Sequence, residues 1–216
     1  MLEPQHITGL VLAGGRGSRM GGVDKGLQLF NGAPLAQHSL RRLQPQVGPM
    51  LLNANRNLAA YAAFDVPVYA DEAIGGESFT GPLAGFLAGL QHCQTPYLVT
   101  VPCDTPRFPH DLVARLAARL EHDQADIAMA ASPKPDGPDG RLEPQPVFCL
   151  MHVQLRESLA RFLAEGGRRV GAWTARHATV LVPFCGDGDD PCAFANANTL
   201  DELYSIEAGT HRSRAQ

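Results

Sequence analysis

Residues 7–25 read ITGLVLAGGRGSRMGGVDK. A mostly apolar run from Ile7 to Ala13 passes straight into a glycine-rich stretch that ends on Asp24 and Lys25. The apolar run predicts a strand covered on both faces. A strand that opens into a glycine loop is an anion-binding setting, because glycine lets the backbone approach and successive N–H groups point inward. Two familiar loops fail here. The dinucleotide fingerprint needs GxGxxG, and Gly15-x-Gly17 puts Met20 where the third glycine belongs. The acidic residue expected about 20 residues later is replaced by Asn53 and Asn55. The phosphate loop GxxxxGK[ST] fails because Gly22 is followed by Val23-Asp24-Lys25. The remaining loop is long enough to wrap a triphosphate, with Gly15 and Gly22 in its backbone, Arg19 as a fork and Lys25 as a point charge. On this loop alone, a plain strand-to-helix turn is the competing reading.

Outward from this stretch, strands and helices alternate. Pro34 sits where a helix begins, with Ala36, Leu40 and Leu43 at helical spacing. Met50–Asn53 and Val66–Ala70 read as the second and third strands, and Pro67 marks the latter as an edge. Pro82 starts a helix, Tyr97–Val101 is a fourth strand, and Pro109 opens another helix. Asp126–Ala131, Val147–Met151 and Thr179–Phe184 read as later strands, with a helix over Leu155, Leu159, Phe162 and Leu163. The expected fold class is α/β: a doubly wound, mostly parallel, Rossmann-like sheet. One domain over residues 1–207 is expected, with halves at about 7–131 and 132–205 and a frayed tail at 208–216. Ser132–Pro146 holds five prolines and two glycines and reads as a long loop.

The chain has 216 residues, 44% of them hydrophobic and 19% charged, which argues against wholesale disorder. The net charge of −4 argues against non-specific nucleic-acid binding, which needs a basic surface. No apolar run approaches the ~18 residues of a membrane span. The beginning MLEPQHITG has no basic region, so no signal peptide is expected. Five cysteines without a CxxC pair suit reduced thiols in the cytoplasm, and no partner ligands make a zinc site of Cys185 and Cys192. Of the 18 basic residues only Lys25 and Lys134 are lysine. A chain that uses arginine for generic charge makes a lysine beside a glycine loop harder to dismiss.

Asp104 follows the fourth strand and Asp71 the third. Ligands of open α/β sheets bind beyond the carboxyl ends of the strands, and a carboxylate there facing a triphosphate suits Mg²⁺. For Asp104 alone, a turn or helix-capping aspartate is the competing reading.

At these residues the chain resembles a known family. Residues 12–25 look like the signature LAGGxSxRMGxxDK of nucleotidyltransferases. Asn53, Gly81-Pro-Leu-Ala-Gly85, Pro102-Cys-Asp-Thr-Pro106, Gln145-Pro-Val-Phe148, Gly167-Arg-Arg-Val170 and Phe194-Ala-Asn-Ala-Asn-Thr199 follow in the order of the molybdenum cofactor guanylyltransferases. The first motif is shared with sugar-phosphate and terpenoid-precursor nucleotidyltransferases. The ordered set is far more specific and runs from about residue 7 to 205. The resemblance implies transfer of GMP from GTP to molybdopterin, with Mg²⁺ on Asp104. It assigns Leu12, Ala13, Gly14, Asn53 and Asp71 to the nucleotide. Gly81, Gly85, Arg168, Arg169, Asn196 and Asn198 are expected on the pterin side, with one of the two adjacent arginines facing the site. Molybdenum-insertion and molybdoenzyme-maturation proteins are the expected partners.

The residues fit that chemistry independently. A phosphate monoester has a second pKa of about 6 and is largely dianionic at neutral pH, so it attacks without a general base. The eight histidines are correspondingly scattered. Lys25, Arg19 and Asp104 are the expected catalytic residues, through charge and placement. The competing readings are a cytidylyl or sugar-nucleotide transferase, favoured less because Gly14-Gly15 resembles the guanylyl branch, and a non-catalytic nucleotide-binding adaptor. A Rossmann oxidoreductase is disfavoured by Met20 and the missing ribose acid.

Overall fold

The computed structural model describes residues 2–14, 24–72, 81–133 and 141–196. Gly15, Arg19, Gly22, Asn198 and the tail at 208–216 lie outside the described residues. In chain order, β1 (Ile7–Leu12) is followed by β2 (Leu29–Phe30), β3 (Ala33–Pro34), α1 (Leu35–Leu43), β4 (Met50–Asn53), α2 (Leu58–Ala62) and β5 (Val68–Tyr69). Then come α3 (Pro82–His92), β6 (Tyr97–Pro102), α4 (Leu112–Asp123), β7 (Ile127–Pro133), β8 (Leu142–His152), α5 (Arg156–Ala164), α6 (Val170–Thr174) and β9 (Thr179–Pro183).

Seven strands form one sheet in the order β5-β4-β1-β6-β8-β7-β9. All pairs are parallel except those of β8, which runs antiparallel to both neighbours. This is the expected α/β, mostly parallel sheet, and β5 is the edge that Pro67 marks. Helices cover both faces, so β1 is buried along almost its whole length. Ile7 and Val11 face one core with Ala36, Leu40 and Leu43 of α1 and Leu112 and Leu116 of α4. Leu10 faces the other, with Leu83, Phe86 and Leu87 of α3, Leu159 and Phe162 of α5, and Trp173 of α6.

Several elements differ from expectation, α2 among them. The hairpin of β2 and β3 turns on Asn31 (φ 47°) and Gly32 (φ 77°), the left-handed pair that a two-residue turn requires. The α4 helix starts at Leu112 rather than at Pro109, and the side-chain oxygen of Gln46 accepts from the Val113 amide near its start. The expected loop over 132–146 is largely strand: Ala131, Ser132 and Pro133 pair with Pro144, Glu143 and Leu142. Prolines are tolerated there because β7 and β8 have run past their other partners. The β7–β9 register ends at Ala131, and the β6–β8 register spans only Cys149 to His152. Each strand then has an unpaired edge, where a missing N–H costs little. Residues 134–140 lie outside the described residues. Strand β7 continues through residue 131, with a register shift against β8 between Met129 and Ala131.

The close seat of α3 on β1 depends on missing Cβ atoms. A methyl group at Gly89 would lie 2.4 Å from Leu10 Cδ2 and 3.1 Å from Leu98 Cδ2. Gly171 in α6, in contrast, has no such neighbour within 4 Å. Gly89→Val is therefore expected to destabilise the protein by about 1–3 kcal/mol through overpacking. Gly171→Ala is expected to stabilise it by about 0.4–1 kcal/mol through the unfolded chain. Urea unfolding midpoints at unchanged slope check both, and an unshifted midpoint for Gly89→Val contradicts the close seat of α3.

Candidate active site

The sheet order reverses beside β1, which has β4 on one edge and β6 on the other. The carboxyl ends of these strands therefore open a crevice. Three backbone bonds set its floor: Ala13 N–H to Asn53 O at 2.8 Å, Cys103 N–H to Leu12 O at 3.0 Å, and Ala54 N–H to Tyr69 O at 3.0 Å. Beyond this floor the chain leaves the sheet at Gly14, Asn55, Asp71 and Asp104.

Lys25 and Asp104 meet across the crevice. Lys25 Nζ donates to Asp104 Oδ2 at 3.2 Å, although 79 positions separate them. Both are partly covered, at 20% and 18% side-chain exposure, so ligand can still reach them. Asp104 is held by its neighbours. Ser39 Oγ donates to the carbonyls of Pro102 and Cys103, and the buried Thr105 Oγ1 donates to Asn196 Oδ1 at 2.6 Å.

On the other side of β1 lies a carboxylate oriented by two amides. Asn53 Nδ2 donates to Asp71 Oδ1 at 2.9 Å and to Tyr69 O at 3.2 Å. Asn55 Nδ2 donates to Asp71 Oδ2 at 2.7 Å and to Gly14 O at 3.3 Å, and Asn55 Oδ1 accepts from the Asp71 amide. Asn53 is buried, at 2% exposure. Its amide donors serve Asp71 and the backbone, so Asn53 shapes the site through Asp71. A Cβ at Gly14 would lie 2.9 Å from Asn53 Oδ1 and 2.8 Å from Asn55 Nδ2. The glycine there is required by close packing.

Among the described residues, those expected on the pterin side stand in different places. A methyl group at Gly81 (φ 125°) would sit 3.9 Å from the Arg168 carbonyl, so these two are neighbours. Arg168 Nη1 donates to the carbonyls of Leu163, in the last turn of α5, and of Gly167 just beyond it. Arg169 is exposed, and its carbonyl accepts from Ala172 and Trp173 as α6 begins. Gly85 packs apart from these: its Cβ position lies 2.5 Å from both Asn53 Oδ1 and Leu12 Cδ2, two residues expected at the nucleotide. Asn196 stands at the Asp104 loop, through Thr105.

Sequence reasoning passed over Asn55, although its alternation with Asn53 at a strand end was a usable signal. It also passed over the setting of Asp24. That buried carboxylate accepts from Tyr61 Oη at 2.5 Å and Asn57 Nδ2 at 2.9 Å, with Arg56 Nε at 3.7 Å. Burial and the Asp24 bond push the Tyr61 phenol well above its ordinary range. Burial, then the Asp104 and Asp24 carboxylates, likewise push the Cys103 thiol up, so it stays protonated beside the site.

The MobA-like NTP transferase domain matches residues 9–180. A molybdenum cofactor guanylyltransferase of Albidiferax ferrireducens is 63% identical over 211 residues, covering 96% of this chain and 98% of that protein. One of Acidovorax sp. (strain JS42) is 61% identical over 209 residues, covering 96% and 98%. The crystal structure of molybdopterin-guanine dinucleotide biosynthesis protein A from Archaeoglobus fulgidus superposes with a TM-score of 0.73 at 22% identity. It covers 95% of this chain and 99% of that one, a likeness of fold. By the domain match and by full-length identity above 60%, the chain belongs to the MobA-like NTP transferases and, among them, to the molybdenum cofactor guanylyltransferase family.

Proposed function

We propose that this chain transfers GMP from GTP to the phosphate of molybdopterin, releasing pyrophosphate. The observation that carries this reading is the Lys25–Asp104 pair at the carboxyl edge of β1 and β6, beside the amide-oriented Asp71. In the reaction an oxygen of the molybdopterin phosphate bonds to the α-phosphorus of GTP. The bond from that phosphorus to its bridging oxygen breaks, and pyrophosphate leaves with the electron pair. The attacking phosphate is already largely dianionic, so no side chain has to remove a proton. The hydrogen bonds of His38, His122 and His177 run to Phe30, Asp123 and Ser158, away from the crevice.

The residues of the site then act by placement and charge. Lys25 meets the charge that gathers on the leaving pyrophosphate, and Arg19 and the loop amides of Gly15 and Gly22 share it. The Asp71 carboxylate accepts from the N1–H and N2–H₂ edge of guanine, with the backbone of Leu12–Gly14 beside it. Arg168 or Arg169, with Gly81 near the Arg168 backbone, serves the molybdopterin side together with Asn196 and Asn198. The site fits a divalent cation, Mg²⁺ by its preference for one or two carboxylates plus phosphate oxygens. Asp104 offers a carboxylate reachable from the crevice. The described residues contain no cluster of three or more metal-ligating side chains, so the coordination would be completed by substrate. When bound, the cation offsets triphosphate charge. Among the described residues no helix is long and apolar enough to cross a membrane. With its reduced thiols, the enzyme is placed by this reading in the cytoplasm, where molybdenum-insertion and molybdoenzyme-maturation proteins would be its partners.

Pyrophosphate release with each of four nucleoside triphosphates, with and without molybdopterin, tests the reading. Release is expected with GTP and molybdopterin together, and GTP is expected to raise the melting temperature more than CTP by binding the native state. Equal release and equal shifts with CTP overturn the guanylyl assignment. Lys25→Ala is expected to fold and to lose about 10²–10³ in rate, the effect of removing one transition-state partner. Near-normal turnover rules out its triphosphate role. Asp104→Asn is expected to weaken Mg²⁺-dependent turnover far more than GTP binding measured in chelator, since it keeps shape and loses charge. An unchanged Mg²⁺ dependence reduces Asp104 to a turn residue and moves the metal role to Asp71.

A further inference from the structure

Asp24 is a carboxylate with 7% side-chain exposure at the returning end of the glycine loop. Burying such a charge is costly unless it is paired and hydrogen-bonded. Among the described residues, its side-chain partners come from the β4–α2 connection and from α2 itself. Tyr61, fully buried, donates to Oδ1, and Asn57 donates to Oδ2, where Arg56 also approaches. Asn57 holds a left-handed backbone (φ 51°) as α2 begins. A Cβ at Gly26 would lie 2.3 Å from Tyr61 Oη, so the chain on the far side of Lys25 is also pressed against this tyrosine. Lys25 thus stands between two residues that Tyr61 fixes. Asp71 is oriented through different donors, Asn53 at the end of β4 and Asn55 just after it.

We propose that Asp24, clamped by Tyr61 and Asn57, is a positioning residue that sets the Lys25 ammonium at the Asp104 edge of the crevice. The inference rests on the guanylyltransferase reading. The clamp touches neither the reacting atoms nor the base-side carboxylate. It acts by fixing the backbone on either side of Lys25, so its effect passes through Lys25 alone.

The test is a set of double-mutant cycles with steady-state kinetics on the full chain, using GTP, molybdopterin and Mg²⁺. Tyr61→Phe keeps the ring and removes the donor. Asn57→Gly removes the second donor at an exposed position where glycine accepts the positive φ. Each is expected to lower kcat about tenfold, and Asp24→Asn about 100-fold, the scale of a small misplacement of a catalytic group, with little change in KM for GTP. In a Lys25→Ala background the same substitutions are expected to have almost no further effect on kcat, because residues acting as one unit are non-additive. Losses that multiply in that background, or folded Tyr61→Phe and Asn57→Gly proteins with wild-type kcat, overturn the clamp. If one variant does not fold, the other carries the cycle; if neither folds, Asp24 holds the fold and the positioning role is overturned. A wild-type protein that releases no pyrophosphate overturns the guanylyltransferase reading, and the clamp with it.

Discussion

Strand β1 is paired in parallel on both of its edges, and this double pairing decides where polar groups can stand. Each of its residues is committed to a ladder with β4 or β6, and both of its faces are covered by helices. Polar side chains therefore gather where the ladders end. Leu12 pairs with Asn53 on one side and Pro102 on the other, so the three chains leave the sheet level with one another. The glycines extend this constraint. Gly85 lets α3 come down on Leu12 and Asn53, and Gly14 passes close to both asparagines. Any side chain at these positions would move the groups that orient Asp71.

Three carboxylates around a site proposed to bind a polyanion pose an electrostatic problem, and each is answered differently. Asp71 is held by neutral amide donors, which orient it and leave its charge in place. Asp104 is paired with a lysine, which offsets its charge. Asp24 is withdrawn from solvent behind a phenol, an amide and a guanidinium. One carboxylate is displayed, one is exchangeable and one is used as an anchor. The rarity of lysine agrees with this division, since a compact and mobile ammonium can release a carboxylate more readily than a bidentate guanidinium can.

Local patterning carried the fold a long way. The β1 run and the strand at Met50–Asn53 are legible as short, nearly continuous apolar stretches, and the helix at Pro82 because its apolar residues recur at helical spacing. The edge position of β5 is legible from Pro67, since a proline cannot serve an interior ladder. The places of Asp104 and Asp71 at the crevice edge are legible because a strand end fixes which side of the sheet a following residue occupies. The β2–β3 hairpin carried an Asn-Gly signal of the same local kind that went unread. The arms over 131–133 and 142–144 are different. Their prolines suggest a loop, and only the end of the β9 pairing at Ala131 and of the β6 pairing at Cys149 makes strand pairing compatible with proline.

The composition and order of residues thus determined the alternation of elements, the crevice edge and the charged pair that faces it, because each follows from periodicity or from position relative to a strand end. The folded chain alone decided how those charges are held. Tyr61 and Asn57 are 37 and 33 positions from Asp24, and nothing in their own neighbourhoods marks them as its donors. Gly85 sits in a motif shared with Gly81, yet one packs under Asn53 and the other lies near Arg168. Hydrogen-bond partnership depends on distances of about 3 Å. Such distances between remote segments exist only once the sheet order and helix seating have been set.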